Sequence, residues 1–210
     1  MSTFICLQIQ SENRAQIADI LQKLSGATEI TTGPYPSEHY DNTLIGENDG
    51  PSFICVGGTR NGWTLVELNS FNKLHTWVAH LSKELNSTVI QLIAQTTSDV
   101  YYFLAYEKGV FRREIEVYHG DYDQTIDKGA KYPFENPNLV PQEDDDEDFE
   151  PFDIDTLEAY CRQFGFELME DDREKQYIIL KKKIIGYTIK DSMKYRRRPV
   201  GNGKPWWKFW

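Results

Sequence analysis

The sequence predicts an α+β fold with a mostly antiparallel sheet and about three helices. Strand-like runs come in pairs joined by short turns, and only three stretches carry helical periodicity. A content of 40% hydrophobic and 13% aromatic residues over 210 positions supplies enough apolar surface for a packed core.

The elements follow in order. Phe4 to Ile9 is apolar on both faces, as a central strand is. Asn13 is placed to cap a helix, with Gln16 three residues on as its capping-box partner. Ile17, Ile20, Leu21 and Leu24 share one helical face, and Gly26 ends it. Residues 27–51 carry Gly33, Pro34, Pro36, Gly46, Gly50 and Pro51 and are expected as a long loop. In SFICVGGTRNGWTLVELNS two apolar runs flank a glycine-rich turn, GGTRNG, which predicts a β-hairpin. Asn69, Ser70 or Asn72 is expected to cap the next helix, whose apolar stripe is Leu74, Trp77, Val78, Leu81 and Leu85. VIQLIAQ, VYYFLAYE and VFRREIEVY read as three strands, separated by TTSD and KG. The last alternates Phe111, Arg113, Ile115 and Val117 with Val110, Arg112, Glu114 and Glu116, so one face is expected to be wet. Residues 119–152, rich in Asp, Glu, Pro and Asn, predict a loop. Asp155 is expected to cap a helix with Glu158 as box partner, Leu157, Tyr160, Cys161 and Phe164 forming its apolar face and Gly165 ending it. FELME and QYIILKKK, joined by DDREK, predict a closing hairpin. The expected organisation is a single domain over 1–190, with an acidic linker over 121–152 inside it and a helix–hairpin unit over 153–190. Residues 191–210 form a basic, Trp-rich tail.

Charge is placed unevenly along the chain. Residues 1–179 hold 13 Lys+Arg and 32 Asp+Glu, a net of -19, whereas residues 180–210 hold 10 Lys+Arg and one acid, a net of +9. Such asymmetry points to an electrostatic partner for one end or both. Cys6, Cys55 and Cys161 are odd in number, form no CxxC pair and sit beside apolar neighbours, so buried free thiols in a reducing compartment are expected. The opening MSTFICLQIQ lacks the basic start and long apolar run of a signal peptide, and no stretch has the ~18 apolar residues of a membrane span. A soluble, cytoplasmic protein is the expectation.

Catalytic signatures fail on inspection. Gly203-Lys204 is followed by Pro205, which breaks the P-loop pattern, and neither GxGxxG nor GxSxG occurs. The histidines are His39, His75, His80 and His119, with no HxH or HxxxH pair. His75 and His80 sit about 140° apart around a helix, so they share no face and read as solvated side chains. His119, in YHGDYD, has acids nearby and is the candidate base of an enzyme reading. Asp121, Asp123 and Asp127 alternate like calcium ligands, but Ile126 and Tyr132 stand where the calcium loop needs glycine and glutamate. No metal or cofactor is expected.

Two charged segments remain. Glu143, Asp144, Asp145, Asp146, Glu147 and Asp148 form a run that is a solvated segment, a dock for the basic tail, or a face for an external basic partner. In the tail, Arg196, Arg197 and Arg198 precede Trp206, Trp207, Phe209 and Trp210. Exposed tryptophans invite association: with the body or a sister chain, with another protein, with a membrane surface, or with nucleic acid. The acidic body disfavours the last, because it repels a phosphate backbone.

The stretch GWTLVELNSFNKLHTWVAHLSKELNSTVIQLIAQTTSDVYYFLAYEKGVFRREIEVYHGD, about residues 62–121, resembles uncharacterised bacterial proteins that are similar to immunity proteins of polymorphic toxin systems. The likeness rests on the Trp63-led strand, HLSKEL, SDVYYFLAYEKG and RREIE. It implies a non-enzymatic protein that occludes a toxin, and it brings no catalytic residues. The residues by themselves agree: an acidic body speeds encounter with a basic partner. Tyr101, Tyr102 and Tyr106 are candidate aromatic anchors, against the alternative that they are ordinary sheet residues. The competing expectations are an enzyme on a small or phosphorylated substrate using His119 and nearby carboxylates, and a membrane-surface adaptor held by the tail.

Overall fold

The chain folds around a nine-stranded sheet in which every neighbouring pair is antiparallel. The computed structural model describes residues 3–41, 43–45, 50–119, 121–135, 152–168, 176–183, 187–188 and 190. In chain order the elements are β1 (Thr3–Ile9), α1 (Arg14–Ser25), β2 (Glu29–Gly33), α2 (Glu38–Asp41), β3 (Leu44–Ile45), β4 (Phe53–Arg60), β5 (Trp63–Leu68), α3 (His75–Glu84), β6 (Thr88–Gln95), β7 (Val100–Glu107), β8 (Val110–Tyr118), β9 (Ile126–Gly129), α4 (Ile154–Phe164), β10 (Tyr177–Lys181) and β11 (Tyr187–Thr188). The sheet runs β2-β10-β4-β5-β1-β6-β7-β8-β9, and β11 pairs separately with β3. Three helices of 10 to 12 residues against this sheet make the fold α+β.

The strand period of two divides the core into layers. Leu7, Ile9, Ile54, Val56, Val66, Leu68, Val89 and Leu104 face α1 and α3, meeting Ile17, Leu21, Val78 and Leu81. The alternate residues Cys6, Trp63, Ile90, Leu92, Phe103, Ile115 and Val117 face α4, meeting Leu157, Tyr160 and Cys161. A smaller cluster of Phe53, Cys55, Tyr177 and Ile179 packs with Tyr35. Each fully buried Leu, Ile or Val contributes about 1.5–3 kcal/mol over leaving it exposed, so both faces of the sheet must be covered.

Local chemistry sets many boundaries as expected. The Asn13 side chain accepts from the Gln16 amide, and Gly26 ends α1 with φ 69°. Asn61 and Gly62 have φ of 51° and 82°, the two positive values that a two-residue hairpin turn between β4 and β5 demands. The turn is those two residues alone. Gly57 and Gly58 lie within β4, where the Tyr177 ring packs over Gly57 and the register shifts between Val56 and Thr59.

Other boundaries differ from the expectation, each for a physical reason. Residues 27–51 are not all loop: the β-branched run Ile30-Thr31-Thr32 makes β2, an edge strand that needs only one partner, β10. The expected pairing of FELME with QYIILKKK does not form. β10 is apolar on both faces and inserts between β2 and β4, while Phe166 and Leu168 pack under α4. Within the expected 121–152 linker, β9 adds to β8. The cap of α4 is Asp153, whose carboxylate accepts from the Thr156 amide at 2.9 Å, and Asp155 lies in the first turn. None of Asn69, Ser70 and Asn72 caps α3, which starts after Leu74. Asn69 instead accepts from the Ser52 and Phe53 amides, and Ser70 accepts from the Asn72 amide. The Leu74 amide is taken by the buried Gln91 of β6 at 2.8 Å, and the Gln91 side chain donates to the Asn72 carbonyl at 2.7 Å.

Candidate functional site

The polar face expected on β8 is covered. Glu114 and Glu116 are each 4% exposed, because α3 closes over that side of β7 and β8. Two carboxylates there require partners, since an isolated buried charge is costly. Glu116 takes Lys73 and the Tyr118 hydroxyl, the latter at 2.8 Å. Glu114 takes His75 Nε2 at 2.9 Å, the Tyr102 hydroxyl at 3.2 Å and Lys128 at 3.7 Å. A carboxylate only accepts, so His75 Nε2 carries a proton, and in the neutral ring Nδ1 accepts from the Tyr106 hydroxyl at 3.2 Å. His75, expected as a solvated histidine, is thus held at both nitrogens.

The phenols of this cluster are donors at neutral pH. Burial, reinforced by Glu114, pushes the Tyr102 and Tyr106 hydroxyls up, and burial with Glu116 pushes Tyr118 up to about 12. The arrangement can position groups and resist charge change, but it presents no activated oxygen nucleophile. The thiols are equally inert. Burial raises Cys6, Cys55 and Cys161, the last to about 12.

An apolar patch opens beside the cluster. Val110 is 61% exposed and Phe111 37%, at the turn between β7 and β8. The Phe111 ring lies 5.6 Å from that of Tyr106, which lies 6.2 Å from His75, so the three rings form a row. Of the candidate anchors Tyr101, Tyr102 and Tyr106, the first two are buried and only Tyr106 reaches this surface. The residues missed by sequence reasoning are His75, Glu114 and Phe111. Glu114 and Glu116, two apart on a strand whose neighbour carries Tyr102 opposite Glu116, were the available signal.

On the other face of β8, Arg113 is wholly buried. Its Nε donates to both Glu135 oxygens at 2.9 and 2.8 Å, its Nη2 lies 2.6 Å from Glu135, and its Nη1 reaches Asp127 at 2.5 Å and the Lys128 carbonyl at 2.9 Å. Burial alone would raise Asp127, but the Arg113 and Lys131 charges outweigh it and hold its carboxyl below the usual range. Asp127, one of the three alternating aspartates, is therefore committed to this ion cluster. His119 packs on Tyr101 and Tyr122, and its Nε2 lies 3.3 Å from the Phe152 carbonyl. Among the described residues no hydrogen bond joins it to a carboxylate.

Glu143 to Asp148, Arg196 to Arg198, Trp206, Trp207 and Trp210 lie outside the described residues. Among the described residues no group of three or more His, Cys, Asp and Glu could hold a metal ion, and no helix is long and apolar enough to cross a membrane. No family model, curated protein or solved structure matches the chain.

Proposed function

We propose that this chain is a protein-binding protein that occludes a basic partner, as an immunity protein does. The observation that carries the reading is the row His75, Tyr106 and Phe111 with Val110, an exposed aromatic patch on an acidic body. Hot spots concentrate in aromatic side chains set on rigid, well-packed supports, and here the support is a paired-charge cluster beneath the rings. Charge placement agrees. Among the described residues, the buried carboxylates Glu114, Glu116 and Glu135 are each paired with a cation or His75, and residues 1–179 carry a net charge of -19. Surface acids raise the rate at which a basic protein is met, and the aromatic patch slows its departure.

The test is affinity capture from the native host at low and moderate salt, followed by binding measurements with the purified partner. A basic protein is expected, with an association rate that falls as salt rises and a dissociation rate raised about tenfold or more by Phe111→Asp. An affinity that neither salt nor Phe111→Asp changes would overturn the reading.

A further inference from the structure

The two edges of the sheet are guarded differently. β9 is four residues long and carries Asp127 and Lys128, which reach back to Arg113 and Glu114. It ends at Gly129, where φ is +92° and the chain turns out of the strand. Shortness, charge and an abrupt end are the devices by which edge strands avoid pairing. β2, at the far edge, is also short and stops at Gly33 before Pro34, but its one charged side chain is Glu29, and no ion pair of that strand ties it back to the sheet among the described residues. Its sequence EITTG is exposed along its length except for half-buried Gly33, Ile30 is 50% exposed, and among the described residues no strand pairs with its outer side. A β-branched strand with open backbone groups is a template for another strand.

We propose that β2 is the docking edge for a second copy of this chain, the two β2 strands pairing antiparallel about a two-fold axis at Thr31. The strand is self-complementary in that register. Thr31 meets Thr31, Ile30 meets Thr32 twice, and Glu29 meets Gly33, so no acid faces an acid. The two Glu29 Cα atoms lie about 14 Å apart, beyond a Debye length in ordinary buffer. Ile30 and Thr32 pair with Leu180 and Ile178 of β10, whose side chains belong to the α1 face, so both Ile30–Thr32 contacts fall on that one face. Any other strand would have to match this pattern by chance, whereas a second copy matches it by symmetry. A five-residue strand pair buries far less than the ~1,600 Å² of a standard interface, so the dimer is weak and fills at high micromolar concentration. It leaves the Phe111 patch free, because β8 stands seven strand spacings away, about 34 Å.

Sedimentation equilibrium over a concentration series tests this. The full chain is expected to approach twice 24.5 kDa, and the Ile30→Lys/Thr32→Lys variant to remain at 24.5 kDa with unchanged circular dichroism. A register probe does not depend on that variant folding. Thr31→Cys brings two thiols to a strand-pair separation of about 5 Å between Cα atoms, so mild oxidant gives a covalent dimer, while His80→Cys, at an exposed position of α3, stays monomeric. A parent chain that is monomeric throughout, a dimer indifferent to the paired lysines, or equal crosslinking by both cysteine variants overturns the proposal.

Discussion

Replacing Glu135 by Gln tests whether the buried ion cluster holds β9 and residues 130–135 to the sheet. Arg113 has no exposed side-chain surface, and neither does Glu135, so neither can recover its partner's charge from water. The substitution keeps the shape and one acceptor oxygen, which can still take the Tyr132 amide bonded to Glu135 at 3.0 Å. It removes the negative charge that accepts from Nε and lies against Nη2. Asp127 remains, but at 37% exposure its pull is partly screened by solvent. Breaking a buried pair by removing one partner costs about 3–5 kcal/mol, and the surviving Asp127 contact places this case near ~3 kcal/mol. For a chain of this length that lowers Tm by about 6–12 °C. Urea unfolding followed by circular dichroism measures it. The double variant Arg113→Met/Glu135→Leu removes both charges and should recover most of the loss. A Glu135→Gln chain within about 0.5 kcal/mol of the parent, or a double variant whose loss equals the sum of the singles, would refute the argument.

Three further outcomes are expected. Asp153→Ala should destabilise by about 1 kcal/mol and Asp155→Ala by only a few tenths, because only Asp153 accepts a helix amide; chevron or urea midpoints separate them. Burial holds His39 down to about 4, outweighing the nearby Phe53 backbone and Glu38, so the unfolded chain binds its proton first; stability falls as pH drops from about 6.5 to about 4, and His39→Gln should flatten that limb. All three thiols should resist a thiol reagent in the native protein and react together on unfolding; rapid native labelling of Cys6, Cys55 or Cys161 would contradict their burial.

Much of the fold was legible where a residue's neighbours in sequence are also its neighbours in space. Asn13 with Gln16, Asn61-Gly62 and the stripe Val78–Leu81 act within one turn or one hairpin, so residue type and spacing suffice. The failures occur where proline and glycine counts outweighed a short β-branched run, as at Ile30-Thr31-Thr32, and where two aspartates competed for one cap. The candidate site was less legible. Tyr102, Glu114 and His75 belong to three elements, and nothing local distinguishes a solvent-facing strand glutamate from one beneath a helix.

By itself the sequence determined the α+β class, the hairpins from β4 to β8, the acidic balance of the body and the buried thiols. Periodicity, turn chemistry and composition are local or additive properties, and they survive without coordinates. Only the tertiary structure decided that β10 separates β2 from β4, that Gln91 caps α3 from the sheet, and which charges of β8 are buried. Those outcomes depend on pairing between residues far apart in sequence, where register and coverage are settled by the packing of the whole sheet against its helices.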